Sequence, residues 1–127
     1  MATRKIPVQE AVRELSISTE KWRDWNIVHL DGKFVVQSFA LVRNTFDAME
    51  RGNAPKVAID MTGIAQIDSS ALTIILNFQK RLQEKDGRLA IFGPNAIIKD
   101  TLLLVGFNKV VPIHGTRAMF EQSDESK

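Results

Sequence analysis

Val57-Ala58-Ile59-Asp60-Met61, followed after a short connection by Ile67-Asp68-Ser69-Ser70-Ala71-Leu72, decides the fold: it stops a strand and starts a helix, with hydroxyls at the junction. The first run is apolar and β-branched, the pattern of a buried strand. Ala71 to Lys85 reads as an amphipathic helix. At about 100° per residue, Ala71, Leu72, Ile75, Leu76, Phe78 and Leu82 occupy one broad arc that packs on the sheet. Gln79 falls inside that arc and needs a partner or an edge location. Thr73, Asn77, Lys80 and Glu84 lie opposite, facing water. Ile74 sits on the border, beside Ser70, Asn77 and Arg81. It is either the margin of the core or part of a partner-binding strip of Ser70, Thr73, Ile74 and Asn77, continuous with Ser69.

The junction admits two readings. A serine at the start of a helix accepts one of the backbone N–H groups left unpaired there, so Ser69 has an ordinary role as a cap. Asp68 fits the same role, which would leave Ser69 in the first turn. The free N–H groups and the helix dipole favour an anion at this place. A phosphate on the serine would be tolerated by the fold while changing the surface charge sharply.

Working outward, Leu15-Ser16-Ile17-Ser18 alternates like a half-buried strand. After Trp22-Arg23-Asp24-Trp25, Asn26 to Leu30 is its hairpin partner, and Asp31-Gly32 supplies a turn. The tryptophans are expected over the hairpin end, or one of them exposed as a partner contact. From Gln37 to Glu50, the spacing of Phe39, Val42, Phe46 and Met49 predicts a helix, ended by Gly52 and Pro55. Beyond the central helix, Asp86-Gly87 is a stop and Arg88 to Phe92 a strand, cut by Gly93-Pro94. Asn95 caps a helix carrying Ile97, Ile98, Leu102, Leu103 and Leu104, ended by Gly106. Lys109 to Ile113 is a last strand, and Pro112 suggests an edge position. Thr116 caps a short terminal helix through Phe120. The order is β-β-α-β-α-β-α-β-α: an α/β fold with a mostly parallel sheet and one antiparallel neighbour. We expect an N-terminal arm at 1–14, one domain at 15–122 and a disordered acidic tail at 123–127.

Composition narrows the function. A chain of 127 residues suits one domain with a real core. The absence of cysteine excludes disulfides, thiol catalysis and thiolate metal sites. No run approaches the roughly 20 apolar residues that cross a bilayer, and no signal peptide opens the chain, so the expectation is a cytoplasmic protein. With 17 basic and 15 acidic side chains, a net charge of +2, there is no nucleic-acid footprint. His29 and His114 lack a nearby acidic cluster in sequence and make a poor metal site. Asp60 and Asp68 bracket one loop, where turn-forming roles outrank cation binding. Asp68-Ser69-Ser70 lacks the Gly-x-Ser-x-Gly elbow of hydrolases, and no glycine loop cradles phosphate. No enzyme, cofactor or metal is expected.

Asp68-Ser69-Ser70-Ala71-Leu72, following Val57 to Ile67, resembles the STAS family of bacterial anti-anti-sigma factors (anti-sigma factor antagonists). Gly87-Arg88-Leu89, Gly93-Pro94, Leu104-Val105-Gly106-Phe107 and Val110-Val111-Pro112-Ile113 match as well, so the resemblance covers roughly residues 15–120. It implies a sheet of four or five strands with helices mainly on one side. It also implies phosphorylation of Ser69 by a partner that is both serine kinase and anti-sigma factor. Unphosphorylated, such a protein binds the anti-sigma factor and frees the sigma factor; a metal-dependent serine phosphatase of the PP2C type resets it. The partner surface implied comprises Asp68, Ser70, Thr73, Ile74 and Asn77. Two departures stand out: Ala71 where the family often has glycine, and Val35 where it commonly has an aspartate of the partner surface. A STAS subunit bound constitutively to a lipid-transport ATPase, or a regulator of biofilm or secretion without a sigma factor, are alternative members.

Overall fold

The apolar run at the middle of the chain becomes the central strand of a five-stranded sheet. The structure is a computed structural model and describes residues 15–125; the expected arm at 1–14 lies outside the described residues. The strands are β1 (Leu15–Trp22), β2 (Trp25–Phe34), β3 (Lys56–Ile67), β4 (Arg88–Phe92) and β5 (Ile113–His114). Their order in the sheet is β1-β2-β3-β4-β5. β1 and β2 form an antiparallel hairpin, and every other pairing is parallel. The helices are α1 (Phe39–Met49), α2 (Ser69–Glu84), α3 (Ala96–Leu104) and α4 (Arg117–Glu125), with single 3-10 turns at Val36–Ser38 and Phe107–Lys109. None of the helices among the described residues is long and apolar enough to cross a membrane.

Alternation along the strands sorts the core into two layers. Val28, Leu30, Val57, Ile59, Met61, Leu89 and Ile91 point to the face covered by α1, α2 and α3. Trp25, Ile27, Ala58, Ala90 and Phe92 point to the other, where Phe120 of α4 is the covering side chain. The helices thus lie mainly on one side. Phe46 of α1 stacks on Phe78 of α2 at 4.1 Å, which fixes the two helices side by side. The arc read from α2 holds: Ala71, Leu72, Ile75, Phe78 and Leu82 are buried, with Ile74 added to them and Leu76 half-buried. Gln79 finds a partner in Gln83 at 3.3 Å.

Four local expectations give way. Asp31-Gly32 is not a turn, because β2 continues to Phe34 beside a β3 that runs without interruption to Ile67. The extra length is absorbed by register shifts at His29/Asp31 and Gly32/Lys33, a bulge in which Gly32 takes φ 120°. Gly63 permits the close approach, since a Cβ there would stand 3.0 Å from the Asp31 carboxyl carbon. The strand expected from Lys109 shrinks to Ile113–His114, because Val110 and Val111 donate back to the Phe107 carbonyl and close a turn. Pro112 does sit at the sheet edge, its carbonyl accepting the Ile91 N–H at 2.9 Å.

The terminal helix does not stop at Phe120, nor does the chain fray from Ser123: α4 reaches Glu125. Thr116 caps it through the Met119 N–H at 3.1 Å. Asp124 then holds its last turn, accepting from the Trp25 indole at 3.0 Å and from Arg23 at 3.4 Å. Trp25 is buried and Trp22 half-buried, as expected of side chains packed over the hairpin end. Trp22 and Trp25 both pack on Phe120, with centroids 5.6 and 4.9 Å away.

Candidate functional site

The central crossover delivers the junction to one end of the sheet. β3 ends at Ile67, and the Asp68 N–H donates to the Phe34 carbonyl at 3.4 Å, tying the turn to the end of β2. Asp68 keeps extended backbone (φ −108°, ψ 172°) and its carboxylate accepts the Ala71 N–H at 2.9 Å. Asp68 is therefore the cap, and Ser69 is the first helical residue. With its neighbour satisfying the backbone, the exposed Ser69 hydroxyl has no capping duty.

The other residues read as a surface sort by depth. Ser70, Thr73 and Asn77 are exposed, and the Thr73 hydroxyl donates back to the Ser69 carbonyl at 3.4 Å. Ile74 is only 8% exposed and belongs to the core. It forms the floor of a hollow of about 180 Å³ between α1 and α2, with Arg43, Asp47, Asn77 and Arg81 as its walls. Arg81 is committed to Glu50 at 2.8 Å. The strip is therefore polar at its rim and apolar only at its floor.

The opposite flank of the same helix was not anticipated. Ser69, Leu72, Thr73 and Leu76 face Val105, Gly106, Phe107 and Val110 across an open, mainly apolar groove of about 400 Å³. The end of α3 continues that apolar surface: Leu104 is 88% exposed and Val105 59%. Assigning Leu72 and Leu76 wholly to the sheet hid the groove. The signal available was α3 itself, whose Ile97, Leu103 and Leu104 cannot all reach the core from a helix of nine residues.

Val35 lies immediately after the Phe34 carbonyl that receives Asp68, so the departure at this position borders the junction in space as well as in motif. Its N–H donates to the buried Ser38 hydroxyl at 3.1 Å, closing the turn into α1.

The chemistry considered elsewhere separates in space. Asp60 and Asp68 do not bracket a loop, being at the middle and just past the end of β3. Asp60 turns to Thr62, whose hydroxyl and N–H both donate to it, and to His29. His29 does have acidic neighbours, contrary to the sequence reading: Asp60 Oδ2 lies 2.6 Å from Nδ1 and Glu20 Oε1 2.8 Å from Nε2. Strand pairing assembles them from residues far apart in the chain. Among the described residues no group of three or more such side chains could hold a metal ion. His114, half-buried against Phe120, has its pKa pushed down by burial.

The STAS domain family model matches residues 16–119 of this chain. An anti-sigma F factor antagonist from Paenibacillus polymyxa is 29% identical over 101 residues, covering 79% of this chain and 86% of that protein. Among solved structures, an anti-sigma factor antagonist from Mycobacterium paratuberculosis superposes with a TM-score of 0.73 at 16% identity, over 82% of this chain and 88% of that one. The anti-sigma factor antagonist SpoIIAA in its unphosphorylated form gives a TM-score of 0.72 at 15% identity, over 88% of this chain and 98% of that one. These two structures share the fold.

Proposed function

This chain belongs to the STAS domain family, and we propose that it is a regulatory binding protein, an anti-sigma factor antagonist switched by phosphorylation of Ser69. The observation that carries the reading is the division of labour at the junction. Asp68 caps α2, while the adjacent Ser69 is exposed at the helix N-terminus and borders an apolar groove. The relatives named as anti-sigma factor antagonists support the regulatory role.

In the unphosphorylated state, the surface around Ser69 docks on an anti-sigma factor that is also a serine kinase. Asp68, Ser70, Thr73 and Asn77 supply polar contacts, Ile74 the floor of one flank and the groove the apolar anchor of the other. Binding frees the sigma factor. The kinase brings ATP and metal; this chain is substrate and ligand, not an enzyme. Phosphorylation adds about −1.5 to −2 charge and three acceptor oxygens. The helix N-terminus accepts that charge in the free protein, whereas a closed interface must strip its water. A serine phosphatase of the metal-dependent type restores the binding state.

Phosphate mapping by mass spectrometry, after incubation with the cognate kinase and ATP, tests the assignment. Modification is expected at Ser69, with S69A unphosphorylated and permanently able to bind. Phosphate elsewhere, with S69A still released from its partner on ATP addition, would overturn it.

A further inference from the structure

The sheet face remote from Ser69 is covered by α4, whose attachments form one chain of charges. Arg117 of α4 grips Glu20 of β1 through both terminal nitrogens, at 2.9 and 2.6 Å, and Glu121 holds Arg117 at 2.8 Å. Glu20 in turn meets His29 Nε2 at 2.8 Å, and His29 Nδ1 meets Asp60 of β3 at 2.6 Å. Both ring nitrogens thus face carboxylate oxygens. That arrangement uses two N–H donors, which only the imidazolium has; a neutral ring turns one lone pair toward a carboxylate. At the other end α4 is held by Asp124 to Arg23 and the Trp25 indole.

We propose that His29 is a proton-operated buckle for α4: as the imidazolium it locks Glu20 in the position that Arg117 grips, and on losing its proton it loosens the helix from the sheet. Release uncovers an apolar face made of Trp25, Ile27, Ala58, Ala90 and Phe92, all now packed around Phe120. Every group facing the ring enters this balance. From β1 and β3 come Glu20 and Asp60, from α4 Arg117 and Glu121, and His114 lies beyond Phe120 on β5.

The direction of the His29 shift agrees with a protonated ring between Glu20 and Asp60. Burial pulls His29 down, but its hydrogen bonds to Asp60 and Glu20 outweigh this and hold it above the ordinary histidine value. Burial alone acts on His114 and moves it below that value, so the two titrate in separate windows. A group whose pKa is raised by folding contributes fully below its unfolded value. Its contribution is lost as pH rises through the folded one. The buckle is closed below the ordinary histidine value and opens as pH rises through the elevated His29 pKa. A difference of one unit in the His29 pKa between docked and released α4 corresponds to about a tenfold change in the docking equilibrium.

Both tryptophans of the chain pack against Phe120, so their fluorescence reports the docked helix. The test uses the full chain between pH 6 and 9. It combines NMR titration of the His29 ring with amide exchange of α4, corrected for intrinsic rates and referenced to α2, and acrylamide quenching of the tryptophans. The proposal expects α4 protection to fall severalfold or more, and quenching to rise, with the same midpoint as His29. H29Q should abolish the pH dependence. Unchanged α4 protection across the His29 titration would overturn the proposal, as would a pH dependence that survives in H29Q. Should H29Q fail to fold, the coincidence of midpoints in the unmodified chain decides.

Discussion

Replacing Asp68 separates the two roles meeting at the junction. In D68A the 2.9 Å bond from the Ala71 N–H is lost and the first turn of α2 regains an unpaired donor. Loss of an N-cap costs about 0.5–2 kcal/mol, typically about 1. Asp68 is only half-buried, so water takes over part of the bond and a loss of about 1 kcal/mol is expected. For a domain of this size that lowers the melting temperature by roughly 3–6 °C. Urea titration followed by circular dichroism should show the midpoint falling with an unchanged slope, the mark of a change in stability alone. D68S keeps a capping oxygen and should recover most of the loss. The same two variants then discriminate cap from recognition. D68S, stable but without the carboxylate, should be phosphorylated more slowly if Asp68 contacts the kinase, whereas D68A confounds both effects. D68A as stable as the unmodified chain within about 0.3 kcal/mol would refute the capping argument, because it would mean that Ser69 or water had taken over at no cost.

Gly93 adopts φ 79°, and a Cβ there would stand 2.5 Å from the Thr62 hydroxyl; G93A should lose about 1–3 kcal/mol in the same urea assay. V105S should change stability by less than about 0.5 kcal/mol, because Val105 is 59% exposed. In a titration calorimetry experiment it should nonetheless weaken the proposed partner's binding at least severalfold, since Val105 lines the groove beside Ser69. Hydrogen bonds from Arg117 and then His29 hold the Glu20 carboxyl down to about 2. Its stabilising effect is present above the ordinary carboxylate range and lost as pH falls toward 2, which carbon-detected NMR of the carboxyl should follow.

Periodicity made most of the fold legible, because its elements are governed by their neighbours in sequence. The arc of α2, the cap at Asn95 and the alternation of β1 all depend on residues within a few positions. What escaped depends on partners far along the chain. Asp31-Gly32 has turn chemistry, yet pairing with Gly63 and Ile64 makes it a bulge. Ser123 and Asp124 look like a polar tail, yet Trp25 and Arg23, about a hundred residues earlier, keep them helical. The contact of His29 with Glu20 and Asp60 arises only when three strands align. At the candidate site Asp68 and Ser69 were legible as alternatives, and one backbone angle with one hydrogen bond decides which of them caps. The groove was not legible, because it depends on how short α3 is relative to α2.

The energetics of the proposed switch assign its force to the interface rather than to the fold. An anion at a helix N-terminus gains about 0.3–1 kcal/mol when exposed, and at most about 2 when partly buried. Moving a complex from mostly bound to mostly free requires on the order of 5.5 kcal/mol for a full 99:1 reversal. The gain at the helix therefore falls short of the reversal by a factor of several, and it acts on the free protein, where it only makes the phosphate acceptable. The remainder must come from the complex, where a group of charge about −2 would be stripped of water beside Leu72, Leu76 and Phe107. On the proposed function, this gives a reason for the capping carboxylate and the phosphate acceptor to be separate residues. Were Ser69 itself the cap, its phosphorylation would disturb the bond that starts α2, and part of the signal would be spent on the fold. With Asp68 holding the helix, the charge change at Ser69 is borne almost wholly by whatever docks on it.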